Sequence, residues 1–155
     1  MKRPSEAKDV SLAEIKNRFG YLLRRSYQTT KARLENSPDN SYELTSTQHS
    51  ILTVICDREL IDQASIAELL ALDRTTTGLA IKNLEKKKLI TRVASAADKR
   101  RKLVALSETG HHAISDIQIW ASAMHAEFDI ILNQEEQYQL RQLLKKLIDY
   151  SEASA

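Results

Sequence analysis

From Arg74 to Lys102 the chain carries ten Lys or Arg and two acids, Glu85 and Asp98, a local net charge of +8. The remaining residues hold 13 basic and 19 acidic side chains, a net −6, so the overall +2 conceals a polarised molecule. The chemistry open to such a segment is ionic. Ammonium and guanidinium groups displace the counterions of a phosphate backbone, and positive charge concentrated on a small module is the footprint of nucleic-acid binding. The densest stretch is Asp98-Lys99-Arg100-Arg101-Lys102. Charge alone would serve a solvated face as well, so the elements that position these residues must decide.

Helix starts are marked by capping boxes, in which a Ser, Thr or Asn side chain accepts from a free N–H and an acid or amide three residues on reaches back. Ser11-x-x-Glu14, Thr45-x-x-Gln48, Ser65-x-x-Glu68 and Asn133-x-x-Glu136 fit or approximate this pattern. The first helix carries Leu12, Ile15, Phe19, Leu22, Leu23 and Tyr27 on one side and is expected to run to about Leu34, with residues 36–41 breaking it. The second, from Thr45, is expected to bury Ile51, Leu52, Ile55 and Cys56. A third, short helix follows Ser65 with Ile66, Leu69 and Leu70, and Leu72-Asp73 makes the turn. With Asp73 as N-cap, a fourth helix spans Arg74 to about Lys87, Ala80, Ile81 and Leu84 facing the core. The periodicity then changes. Residues 89–93 and 102–106 read as a two-stranded antiparallel ribbon around the basic loop, and such a ribbon must lean on the helices. Helical spacing returns with Ile114, Ile117, Ala121, Met124, Phe128 and Ile131, and again with Leu140, Leu143, Leu144, Leu147 and Ile148. These apolar seams exceed what the small central module covers, which points to pairing with a second copy.

Composition bounds the rest. The 155 residues suit one compact domain with helical extensions, and only three Gly and two Pro argue for long helices. A single cysteine, Cys56, excludes an intramolecular disulfide and fits a reducing cytoplasm. No secretory h-region is visible, and no run reaches the ~18 apolar residues of a membrane span.

Helix, turn, helix and a ribbon with a basic tip is the winged helix-turn-helix order: a mainly α fold with a small β ribbon. The fourth helix offers Arg74, Thr75, Thr76, Gly78, Leu79 and Lys82 for base edges and phosphates, with its positive dipole end favouring phosphate. Ser65 and Arg92 join them as candidates, and the ribbon tip, with Lys99, Arg100 and Arg101, can reach a minor groove.

On these residues the chain resembles the MarR family of bacterial transcriptional regulators. The resemblance is carried by Leu44-Thr45-x-x-Gln48, Ile66-Ala67-Glu68-Leu69-Leu70-x-Leu72-Asp73-x-Thr75-Thr76, Leu84-Glu85-Lys86-Lys87-x-Leu89-Ile90-x-Arg92, Asp98-Lys99-Arg100 and Leu106-Ser107-x-x-Gly110. It implies a triangular homodimer on a pseudo-palindromic operator, often acting as a repressor. Residues 1–44 and 108–155 would supply dimerisation helices, and 45–107 the DNA-binding module. The Arg74 helix would enter the major groove and Arg100 the minor groove, with Asp98 bracing the loop. Two positions depart from the family pattern. Lys88 stands where a Gly is usual, at a place that often needs left-handed geometry, and Ser107 replaces a Thr.

The resemblance also implies a small aromatic acid or phenolic effector and no cofactor. Arg18, Tyr21 and Arg25 share a stretch of the first helix, and His49 and His111 could converge with them. Surface ion pairs and ordinary interface histidines are the alternative reading. An oxidant-responsive regulator would rest on Cys56, but its apolar setting suits a small hydrophobe better. A metal-responsive one would rest on His49, His111, His112 and His125, among which no i, i+4 pair exists. No phosphate loop, nucleophile elbow or His-Glu-x-x-His motif supports an enzyme. A helical protein-interaction adaptor would use the seams but leave the +8 segment unexplained.

Overall fold

The computed structural model describes residues 11–38, 40–94 and 102–153, the side chains at 120, 121, 123–125, 127, 151 and 152 excepted. The expectations placed on Asp98, Lys99, Arg100, Arg101, Ala121 and Met124 therefore lie outside what is described. Among the described residues the order is α1 (Leu12–Lys16), α2 (Phe19–Glu35), α3 (Ser46–Arg58), β1 (Ile61–Asp62), α4 (Gln63–Leu69), α5 (Arg74–Lys86), β2 (Ile90–Ala94), β3 (Lys102–Leu106), α6 (Glu108–Ile131) and α7 (Gln134–Ala153). The chain divides into two compact units, Met1–Ser46 and Thr47–Ala155.

In the first unit the Ser11 capping box forms on both sides. The Ser11 hydroxyl accepts from Glu14 N–H at 3.2 Å, and the Glu14 carboxylate accepts from Ser11 N–H at 3.0 Å. The single helix expected to reach Leu34 is instead two helices. α1 stops at Asn17, and Arg18 is extended (φ −75, ψ 139) before α2 begins. Asn favours such a break because its amide competes with the helical backbone. The turn after α2 is held by Asn40, whose side chain donates to the carbonyls of Glu35 (3.1 Å) and Leu44 (2.9 Å) and accepts from Leu44 N–H (2.8 Å). Leu12, Ile15, Phe19, Leu22, Leu23 and Tyr27 of α1 and α2 remain exposed in the single chain, Phe19 at 83%.

The second unit has a dry core of Ile51, Leu52, Ile55, Ile66, Ile81, Leu84, Leu89 and Val104, joined by Ala113, Ile114 and Ile117 of α6. Thr77 is buried with them, its hydroxyl donating to the Asp73 carbonyl at 2.9 Å. The expected two-stranded ribbon is part of a three-stranded antiparallel sheet, β1-β3-β2. Ile61 pairs with Val104 and Asp62 with Leu103, while β2 and β3 pair from Ile90↔Leu106 to Ala94↔Lys102. A two-residue strand offers no alternation from which it could be read.

The start expected for the third helix also moves. Asp62, not Ser65, caps α4, one carboxylate oxygen accepting from Ala64 N–H (3.0 Å) and Ser65 N–H (3.1 Å) and the other from the Ser65 hydroxyl (3.1 Å). Ile66 and Ala67 face the core, and Leu69 is exposed.

α5 ends in a Schellman arrangement. Leu89 N–H donates to Leu84 C=O at 3.0 Å and Lys88 N–H to Glu85 C=O at 2.9 Å, with Leu84 and Leu89 both buried. This places Lys88 in the left-handed region at φ 59, the geometry anticipated for it. A side chain there costs energy that Gly avoids. Lys88→Gly is therefore expected to stabilise the protein by about 1 kcal/mol. The gain should appear as a higher urea midpoint at unchanged m-value.

Ser107 caps α6, accepting from Gly110 N–H at 3.0 Å. Asn133 and Glu136 form the reciprocal box before α7, at 3.0 and 2.8 Å. The α7 seam residues Leu140, Leu143, Leu144, Leu147 and Ile148 are exposed, as are Phe128 and Ile131 of α6.

Candidate nucleic-acid interface

α5 starts on a carboxylate. One Asp73 oxygen accepts from Thr76 N–H at 2.8 Å and the other from the Thr76 hydroxyl. These bonds, the hydroxyl first and the amide next, hold the Asp73 carboxyl below its ordinary range. The anion at this helix N-terminus is thus the chain's own, which completes the dipole. That carboxylate offsets part of the phosphate attraction expected of the terminus, and exposed cationic side chains add to what is left.

Those side chains form an exposed face. Arg74, Thr75, Thr76, Leu79 and Lys82 are all exposed, and Asn83 and Lys86 continue the same side. Leu79, at 59% exposure, is an apolar group that the core leaves out, and it suits a thymine methyl. Asn83 and Lys86 were not among the residues singled out from the sequence. Their spacing of four and seven from Leu79 was the available signal.

Three other candidates have different surroundings. Gly78 faces the neighbouring helix: a Cβ there would sit 3.0 Å from the Gln63 side-chain nitrogen, and Gln63 in turn donates to Arg74 C=O at 3.3 Å. The close approach this glycine permits is between α4 and α5. The half-buried Ser65 spends its hydroxyl proton on Asp62. Arg92 binds Glu85 with its Nε, at 3.2 and 3.0 Å from the two oxygens. That pair ties β2 to α5 and cancels one of the cations counted in the basic segment, orienting the ribbon more than stabilising it.

A model of the MarR family matches residues 44–102. The crystal structure of a probable transcriptional regulator from Pseudomonas aeruginosa is 30% identical, covers 86% of this chain and 98% of its own, and superposes with a TM-score of 0.80. The chain belongs to the MarR family. It is a DNA-binding transcriptional regulator, and the family's members are not enzymes. The transcriptional repressor NicR of Pseudomonas putida is 28% identical over 96% of this chain and 94% of its own length. Bordetella bronchiseptica BpsR, whose DNA binding is regulated by 6-hydroxynicotinic acid, is 27% identical over 86% of this chain and 95% of its own, with a TM-score of 0.78.

The effector candidates of this MarR-family chain divide between its units. Arg18, Tyr21 and Arg25 belong to the first. Arg18 is the N-cap residue of α2, and the Tyr21 ring is covered by the Arg24 guanidinium, 5.5 Å from its centroid. His49 and His111 belong to the second. His111 lines a cavity of about 330 Å³ with Ile55, Cys56, Glu59, Ala105 and Leu106. Cys56, expected in the core beside Ile55, is half-buried on this cavity wall. It follows Ile55 by one residue, about 100° around α3, and so sits at the edge of the face that Ile51, Leu52 and Ile55 bury. Among the described residues no group of three His, Cys, Asp or Glu is placed to hold a metal ion, and no helix is long and apolar enough to cross a membrane.

His49 is half-buried on α3, and desolvation pushes its imidazole below the ordinary value of 6.5. The unfolded chain therefore takes up the proton first as pH falls through about 6.5. The stability His49 allows at neutral pH is lost progressively from there toward its folded-state value. Thermal melts at pH 7.5 and 5.5 (conditions spanning about one unit either side) should show a smaller acid-induced drop for His49→Gln than for wild type.

Proposed function

We propose that this regulator is a cytoplasmic repressor that binds a pseudo-palindromic operator as a homodimer and leaves it when a small aromatic acid or phenolic effector binds. The observation that carries the reading is the exposed polar and basic face of α5, within the +8 segment, in a chain whose α1, α2, α6 and α7 keep large apolar residues uncovered. Residues 1–44 and 108–155 supply the dimer surface, and 45–107 read DNA. α5 enters the major groove through Thr75 and Leu79, with Lys82 on a flanking phosphate, and the ribbon tip places Arg100 in the minor groove. Arg74, Thr76, Lys99 and Arg101 contact the phosphate backbone. Asp98 braces the tip, and Ser65, Gly78 and Arg92 complete the DNA-facing set.

The names of the similar proteins support the finer parts. NicR is a repressor, and BpsR answers to a hydroxylated aromatic acid. The cavity of about 330 Å³ has the volume for one substituted ring. His111 and Glu59 offer it hydrogen-bond partners, while Arg18, Tyr21, Arg25 and His49 are effector candidates on sequence grounds and do not line this cavity. The effector acts by preferring a dimer whose two α5 helices are wrongly spaced for successive major grooves. It can shift the balance only by that difference in affinity.

Footprinting on the DNA upstream of its own coding sequence, with and without hydroxylated aromatic acids and neutral phenols, tests this reading. A two-fold symmetric footprint erased by one compound is expected. A footprint that no compound alters would remove the effector, and none at low salt would remove the regulator. Within a bound complex, Arg100→Ala is expected to cost about 1–3 kcal/mol of operator affinity while leaving a folded dimer. Wild-type affinity in titrations of that variant would refute the groove assignment.

A further inference from the structure

The junction between α5 and α6 is closed by a single side chain. The Ser107 hydroxyl donates to Lys88 C=O at 2.6 Å and accepts from Gly110 N–H at 3.0 Å. Its own N–H donates to Leu89 C=O at 3.0 Å. Lys88 and Leu89 are the two residues that follow the C-cap of α5, the first left-handed and the second buried. Ser107 is the N-cap of α6. One hydroxyl thus finishes one helix and begins another that is 19 residues away in sequence. Gly110, in the first turn of α6, lies so near Leu89 C=O that a Cβ would fall 2.0 Å from that oxygen. No slack is left between the turn and the helix. The N-terminal end of α5 is fastened separately, through Gln63 of α4 on Arg74 C=O.

We propose that Ser107 is a positioning residue for operator reading: its hydroxyl proton fastens the left-handed turn after α5 to the first turn of α6, so that α5 takes its setting from α6. This rests on the operator reading proposed above. The two jobs of the hydroxyl are separable by chemistry. Ser107→Thr keeps both. Ser107→Asp keeps an N-cap acceptor for Gly110 N–H, but an ionised carboxylate has no proton for Lys88 C=O. Ser107→Ala keeps neither and adds no charge.

The test compares full-length wild type, S107T, S107D and S107A on the footprinted operator and on a random duplex of equal length, each below its melting temperature. S107T should match wild type on both. S107D and S107A should lose about tenfold on the operator and keep their random-duplex affinity, because misdirected α5 helices still meet phosphates. Folded S107D and S107A with a wild-type ratio of operator to random affinity would overturn the proposal. So would equal losses on both duplexes, which mark a charge or stability effect. Amide hydrogen exchange supplies an arm that needs no DNA. In S107D the amide at position 107 should exchange faster while that of Gly110 stays protected, and unchanged exchange at 107 overturns the tie. If wild type itself binds no duplex, the regulator reading falls and the exchange arm alone decides whether the tie exists.

Discussion

Gly110→Ala is expected to unfold most of the 47–155 unit at temperatures where the wild type is fully native. The cause is contact, since no glycine among the described residues has a positive φ. An added Cβ would meet Leu89 C=O at 2.0 Å, the Leu89 carbonyl carbon at 3.0 Å and Leu106 Cδ2 at 3.3 Å. The leucine methyl can turn aside. The carbonyl cannot, because it accepts from Ser107 N–H, while the amide of the same residue closes the end of α5 on Leu84 C=O. Relief requires lifting the first turn of α6 away from the sheet, which strips packing from Ala113, Ile114 and Ile117, all buried. Overpacking against an immovable backbone group exceeds the usual range for an inserted methyl, so a loss above about 3 kcal/mol is expected. Urea melts of the variant decide it. An unfolding free energy within about 1 kcal/mol of wild type would show that α6 can shift on the sheet, and would count against the tie at Ser107 as well.

How much of this was legible depended on whether the deciding group was local. Asp73 caps α5 as its position before Arg74 foretold, and Ala80, Ile81 and Leu84 are inward because three-and-four spacing fixes a helical face. The left-handed Lys88 followed from a resemblance to a pattern with glycine at that place. What failed was set by distant partners or by competition. Asp62 and Ser65 are both good caps three residues apart, and the box pattern favours Ser65. Asp62 wins because its two oxygens take three donors, one of them the Ser65 hydroxyl itself. Gly78 reads equally as room for DNA or room for a helix, and Gln63, fifteen residues earlier, is the neighbour that a side chain there would meet. Cys56 sits at the margin of an apolar stripe, where periodicity cannot separate a core wall from a cavity wall. The candidate DNA-facing set was visible as a charge excess. Its pairing was not: counting cations gave Arg92 the same weight as Lys82, although Glu85 already holds Arg92.

Operator affinity is expected to fall by about a thousandfold between 50 and 200 mM salt, in the range for six or more neutralised phosphates. Each copy exposes Arg74, Lys82 and Lys86 along α5 and Lys102 at the start of β3, before any contribution from Lys99, Arg100 and Arg101. Three phosphate contacts per copy make six in a dimer. The plot of log Kd against log salt then yields the contact number directly, at about 0.9 per phosphate. Lys82→Gln should lower that slope by about two, one contact from each copy, and weaken operator and random duplex alike. A lysine ammonium is a mobile point charge suited to phosphate more than to the fixed geometry of a base edge. Leu79→Ala should do the reverse, leaving the slope untouched while narrowing the margin between operator and random sequence, because an apolar side chain releases no counterions. If Lys82→Gln narrowed the margin without changing the slope, Lys82 would be a base reader and the phosphate count would have to come from Arg74, Lys86 and the ribbon. A near-flat salt dependence for the wild type would remove the phosphate contacts altogether, and with them the reason for placing +8 on one module.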